Sequence, residues 1–186
     1  MSIPIVVPGA SVLLKWVLPS EDEPYADNAL QLRSAIVDSN VYALVPPLWI
    51  YEVGNTIARS FPDHAQAWLS ALMKFALEEA PVSKPWLTKT LELVQLHDVT
   101  FYDVAYHALA IVNGGTFVTT DCRYATKTAT SGSVVLVGDW RPPPEPATWA
   151  APAAEPPPGA NPVLRGRSTA DRQCLAARLR LRDAAY

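Results

Sequence analysis

Glu52, Asp103 and Asp121 fall where helices begin or directly after short apolar runs. Carboxylates that converge at such places repel one another unless a hard divalent cation neutralises them. A site of that kind suits Mg2+ or Mn2+ and the metal-assisted hydrolysis of a phosphodiester. Each residue also has a plainer role. Asp103 completes the T-x-x-D pattern begun by Thr100 and serves as the acidic member of a capping box. Asp121 stands where an ordinary helix N-cap belongs. Glu52 alone is a solvated helix residue, although a helical wheel groups it with Asn55, Thr56 and Arg59 beside the apolar Trp49, Val53 and Ile57. Arg123 and Lys127, four residues apart just after Asp121, are candidates for holding phosphates. Exposed basic side chains on a helix are more often simply solvated. His107 lies four residues after Asp103 on the same helix face, where it could serve as a ligand or base; His64 and His97 have no partner pattern. Neither G-x-G-x-x-G nor a P-loop is present.

The elements that position these residues are legible from punctuation and periodicity. Ile3 to Val7 reads as a buried strand that ends at Pro8-Gly9. Ser11 to Leu18 reads as a short helix stopped by Pro19. Ser20 and Glu23 have capping-box spacing, which predicts a helix from there to about Val37. Tyr42 to Val45 is a second strand, closed by Pro46-Pro47, and Leu48 to about Arg59 is helical. Further helices are expected from Asp63 to about Leu77 and from Trp86 to Leu96, with Ala80 to Val82 a short strand or a connector. Thr100 opens an apolar helix that ends at Asn113-Gly114-Gly115. Thr116 to Thr120 is a strand, Asp121 to about Thr128 a helix, and Val134 to Val137 a last strand. Continuous apolar strands that alternate with helices imply an α/β domain with a covered parallel sheet. Ligands in such sheets bind outside the carboxyl ends of the strands.

Composition divides the 186 residues unevenly. Of the 18 prolines, nine lie in residues 1–141 and nine in residues 142–186. The first segment carries 9 basic and 14 acidic side chains and the second 6 and 4, against a whole-chain charge of −3. This balance argues against nucleic-acid binding by charge alone. Cys122 and Cys174 form neither a zinc pattern nor a disulfide framework. Pro4, Pro8 and Lys15 interrupt the N-terminal apolar stretch, and no run approaches a membrane span. A cytoplasmic protein without membrane contact is the expectation. From Pro142 onward the periodicity stops, and Pro142-Pro143-Pro144 and Pro156-Pro157-Pro158 favour extended conformations. The reading is therefore a domain over 1–141 and a Pro/Ala/Arg-rich tail over 142–186 that is disordered and dispensable. The tail's six arginines between Arg165 and Arg182 leave a basic arm as the alternative.

Four ordered segments carry a family resemblance: VVPGASVLLKW (6–16), VPPLWIYEVGN (45–55), TFYDVAYHALA (100–110) and FVTTDCRYATK (117–127). They resemble the motif regions of the PIN-domain ribonucleases, in particular the VapC-type toxins of bacterial toxin–antitoxin pairs. The resemblance implies a three-layer α/β/α domain with a parallel sheet of four to five strands. It also implies Mg2+-dependent cleavage of RNA, inhibition by a small antitoxin protein, and a homodimer. By that resemblance Glu52, Asp103 and Asp121 match three of four catalytic, metal-binding acids, Ser11 and Thr119 match supporting polar residues, and Lys15 on the first helix, with Arg123 and Lys127, is a candidate RNA contact. The family's first acid, expected after strand one, is replaced by Gly9. Glycine has no side chain with which to bind metal, so impaired activity is expected, with a catalytically inactive module that binds antitoxin or RNA as the alternative. His107 stands where the family has an aliphatic residue. A receiver-like or nucleotide-binding doubly wound domain also places Asp at strand ends, but does not account for the four ordered segments.

Overall fold

The computed structural model describes residues 3–19 and 23–144. The sheet is built from β1 (Ile5–Pro8), β2 (Tyr42–Val45), β3 (Glu78–Glu79), β4 (Thr116–Thr119) and β5 (Val134–Leu136). All pairings are parallel, in the order β3-β2-β1-β4-β5. The helices are α1 (Ala10–Leu14), α2 (Ala26–Val37), α3 (Trp49–Ser60), α4 (Ala65–Met73), α5 (Lys84–His97), α6 (Phe101–Val112) and α7 (Cys122–Thr128), with 3-10 turns at Pro62–His64 and Ala129–Ser131.

This order fixes where a ligand can enter. The chain moves outward from β1 to β2 to β3, then crosses back to place β4 on the other side of β1. Right-handed crossovers put the helices between β1 and β3 on one face, and α6 and α7 on the other. The reversal lies between β1 and β4, and the crevice above their carboxyl ends is the switch point of the sheet. Beneath it Val7, Val12, Leu13, Val45, Val53, Ile57, Val104, Leu109 and Val118 form one continuous apolar core. Because both faces are covered, the strands read as unbroken apolar runs.

The expected α/β architecture with a parallel sheet is present, and several boundaries move for identifiable reasons. β1 runs to Pro8, which pairs with Val118. α1 ends at Leu14, after which Lys15, Trp16 and Val17 donate to carbonyls three residues back. That tighter path lets Trp16 Nε1 donate to the Ala29 carbonyl at 3.0 Å. The helix expected from Ser20 starts instead at Ala26; Ser20 lies outside the described residues. Tyr25 precedes α2 in the left-handed region (φ 63°), with its ring packed against Gly138. The helix expected from Asp63 to Leu77 is a 3-10 turn followed by α4. It stops at Met73 because Ala76 turns left-handed (φ 47°), beside Phe75 packed against the Trp16 ring. The third strand is Glu78–Glu79 rather than Ala80–Val82.

Residues 142–144 adopt no regular structure. The tail reading, including the prolines at 156–158 and the arginines from Arg165, otherwise lies outside the described residues. Among the described residues, no helix is long and apolar enough to cross a membrane.

Candidate functional site

Four crossovers deliver side chains to the switch-point crevice. The chain leaving β1 places Gly9, Ala10 and Ser11 there. The helix after β2 brings Glu52 and Thr56. The end of β4 brings Thr119, Thr120 and Asp121, and α6 brings Tyr102, Asp103 and Tyr106. Leu14, Phe117 and Tyr124 complete the lining of a cleft of about 420 Å³. Glu52, Asp103, Asp121, Ser11 and Thr119, singled out from the sequence, therefore share one cavity.

Local structure explains how each is held. Thr100 caps α6: its Oγ1 accepts from Asp103 N at 3.2 Å and donates to Asp103 Oδ2 at 2.7 Å. Asp121 caps α7 by accepting from Tyr124 N at 2.9 Å, while its own N–H donates to Thr119 Oγ1 at 3.1 Å. The capping roles legible in the sequence are thus real, and they aim both carboxylates into the cleft rather than competing with that placement. Thr56 Oγ1 donates to the Glu52 carbonyl at 3.0 Å. Glu52 is half-buried, and Tyr106 donates its hydroxyl proton to Glu52 Oε2.

The electrostatics follow from this crowding. Burial raises the Glu52 pKa; the Tyr106 bond opposes the rise and the Asp103 charge adds to it. Tyr106 is raised by burial and by the bond to Glu52. Tyr124 is raised by burial, with smaller contributions from the charges of Asp103 and Asp121. A phenol in such surroundings stays protonated and acts as a hydrogen-bond donor.

The donors are hard oxygens, the chemistry that Mg2+ and Mn2+ take. Among the described residues no three His, Cys, Asp or Glu side chains are gathered closely enough to enclose a metal ion. Mg2+ keeps several waters and commonly takes only one or two carboxylates directly. The residues fit a hydrated ion of that type.

Several sequence candidates go elsewhere. Lys15 is buried and paired with Glu23, which corrects its reading as an RNA contact. Lys127 Nζ donates to the Asp98 carbonyl at 2.7 Å, and Arg123 is exposed; neither lines the cleft. His107 is fully buried and is neither ligand nor base. Its Nε2 lies 2.6 Å from the Gly132 carbonyl, which can only accept, so Nε2 carries the proton and Nδ1 accepts from the Tyr124 hydroxyl at 3.0 Å. Sequence reasoning missed Tyr106 as a partner of Glu52. Its spacing of three from Asp103 on one helix was the available signal.

No protein-family model matches the chain, and no curated protein is significantly similar to it. Solved structures do match. PAE2754 from Pyrobaculum aerophilum superposes with a TM-score of 0.53 at 21% identity, covering 73% of this chain and 91% of that one. VapBC2 from Rickettsia felis, bound to a DNA fragment from their promoter, gives a TM-score of 0.53 at 16% identity, covering 71% of this chain and 96% of that one. At these identities the likeness is one of fold, and it agrees with the PIN-like arrangement of a parallel sheet between helices.

Proposed function

We propose that the domain is a metal-dependent RNA phosphodiester hydrolase of the PIN type, impaired by Gly9. The observation that carries this reading is the convergence of Glu52, Asp103 and Asp121 from three separate crossovers on one cleft. Asp103 and Asp121 would hold Mg2+ or Mn2+ directly, and Glu52 would reach the ion through its bound water. The ion, when bound, supplies charge neutralisation and a more acidic water for attack on phosphorus. The chain's own residues supply position. Thr100 fixes Asp103, Thr119 fixes the backbone that carries Asp121, and Tyr106 fixes Glu52. Ser11 places a hydroxyl beside them that can bind water or a phosphate oxygen. The fold likeness to VapBC2 supports a small antitoxin protein as partner; the homodimer and the cytoplasmic location rest on the sequence alone.

The test is RNA cleavage by the full chain with Mg2+ or Mn2+, beside Asp103→Asn and Asp121→Asn. Slow metal-dependent cleavage that both substitutions abolish is the expected result. Equal cleavage by all three proteins would refute the catalytic reading. Gly9 favours a second reading, an inactive module that binds antitoxin or RNA. Binding without turnover, unchanged by either substitution, is its signature.

A further inference from the structure

We infer that Phe117 closes position 9 to side chains, so that the missing carboxylate is built into the packing of the core. The functional consequence rests on the reading of the cleft as a metal site; the packing does not. Gly9 has φ −70° and ψ 158°, ordinary extended backbone that any residue adopts, so its conformation does not require glycine. Its surroundings do constrain it. Gly9 N donates to Val118 O at 2.9 Å, and its carbonyl accepts from Val12 N at 2.9 Å and Leu13 N at 3.1 Å. The residue is thus pinned between β4 and α1. A Cβ built there meets Phe117 Cε2 at 3.1 Å, Val118 O at 3.4 Å and Phe117 Cζ at 3.6 Å. The first of these is closer than packed carbons normally sit.

Aromatic neighbours flank the ring, and its remaining edge lines the cleft. Phe117 is buried and bounded by Tyr106, His107 and Tyr124, with centroids at 5.8, 6.0 and 5.7 Å. Tyr106 is tied to Glu52, and His107 and Tyr124 are tied to each other. The ring is therefore held by neighbours that are themselves bonded. Backbone at Val118 is the other contact, and it belongs to the central β4 ladder. Cε2 and Cζ are atoms that leucine lacks. Position 117 decides whether position 9 can carry a ligand, and restoring an acid there takes two changes, Gly9→Asp together with Phe117→Leu.

The experiment uses the full chain with Gly9→Ala and Gly9→Asp, each alone and combined with Phe117→Leu. Alanine adds the Cβ without charge, which separates crowding from repulsion by the cleft carboxylates. Thermal melting in EDTA should show Gly9→Ala lowering Tm by roughly 3–9 °C beside Phe117, the range for overpacking a domain of this size. In the Phe117→Leu background the same change should cost no more than about a third of that. Mn2+ titration should show the Gly9→Asp/Phe117→Leu protein binding at least ~10-fold more tightly than Gly9→Asp alone. An equal Tm loss in both backgrounds, or a gain beside Phe117, overturns the packing inference whatever the cleft does. A relieved Tm loss without any gain in Mn2+ affinity leaves the packing inference standing and counts against the metal site instead.

Discussion

The hydroxyl of Tyr106 on α6 donates to Oε2 of Glu52 on α3, joining two helices from opposite sides of the sheet inside the cleft. The pair holds a half-buried carboxylate whose charged form is disfavoured by burial and by Asp103. A carboxyl whose folded pKa lies above its unfolded value binds more protons in the native state. Its favourable contribution is full below the unfolded pKa, near 4.5, and is lost as pH rises through the folded one. Glu52→Gln removes the charge and keeps an acceptor for Tyr106. We expect its Tm to exceed that of the unsubstituted chain at pH 7, with the difference shrinking towards pH 4.5. Melting curves across that range check this, and a lower Tm at pH 7 would contradict it.

Asp121 separates its structural role from its chemical one. Asp121→Asn keeps an oxygen for Tyr124 N, and Asn caps helices about as well as Asp. Its urea-unfolding free energy should stay within ~0.5 kcal/mol of the parent. Asp121→Ala should lose ~1 kcal/mol. Both should lose metal-dependent cleavage, so activity and stability part company only in the asparagine variant.

His107 predicts sensitivity to acid. Burial lowers its pKa, against an opposing backbone bond to Gly132 and with a further lowering by the His97 charge. The neutral ring is what the Tyr124 and Gly132 bonds require. Its stabilisation is therefore full above the unfolded value, 6.5, and is lost as pH falls through the folded one. Denaturant titrations should show stability falling below pH 6.5. His107→Phe, which leaves the Gly132 carbonyl and the Tyr124 hydroxyl unpaired, should cost about 1–3 kcal/mol at pH 7.5 and flatten that slope.

Lys15 and Glu23 form an ion pair whose cationic end is buried and whose acidic end is partly exposed. Removing the acid strands the cation. Glu23→Gln should destabilise by about 1–3 kcal/mol in urea, more than a surface pair does. Addition of salt should reproduce only a small part of the loss, because screening acts weakly on a buried charge.

The legible parts of this molecule were those set by local chemistry. Pro46 and Pro47 bound β2, Thr100 opens α6, Gly114 and Gly115 close it, and Asp121 opens α7; each acts within one turn of the chain. What escaped was set at a distance. Tyr25 holds a left-handed conformation beside Gly138, more than a hundred positions away, so Ser20 and Glu23 suggested an earlier helix start than the fold allows. Lys15 looked like a free cation because Glu23 folds back on it only in three dimensions. The cleft itself was half legible. Its acids stood out by position, whereas the tyrosines that hold them read as ordinary core aromatics, which most of their surface is. Gly9 was legible as a missing acid, but not the ring of Phe117 beside it.

β3 consists of Glu78 and Glu79 alone, at the margin of the sheet. Glu78 accepts from the Tyr42 hydroxyl, and Glu79 accepts from Trp49 Nε1 at 2.9 Å. A foreign strand that sought to extend the sheet here would have only two residues to pair with, and would set its backbone against two carboxylates already anchored to their neighbours. Short, charged margins of this kind resist aggregation by strand addition.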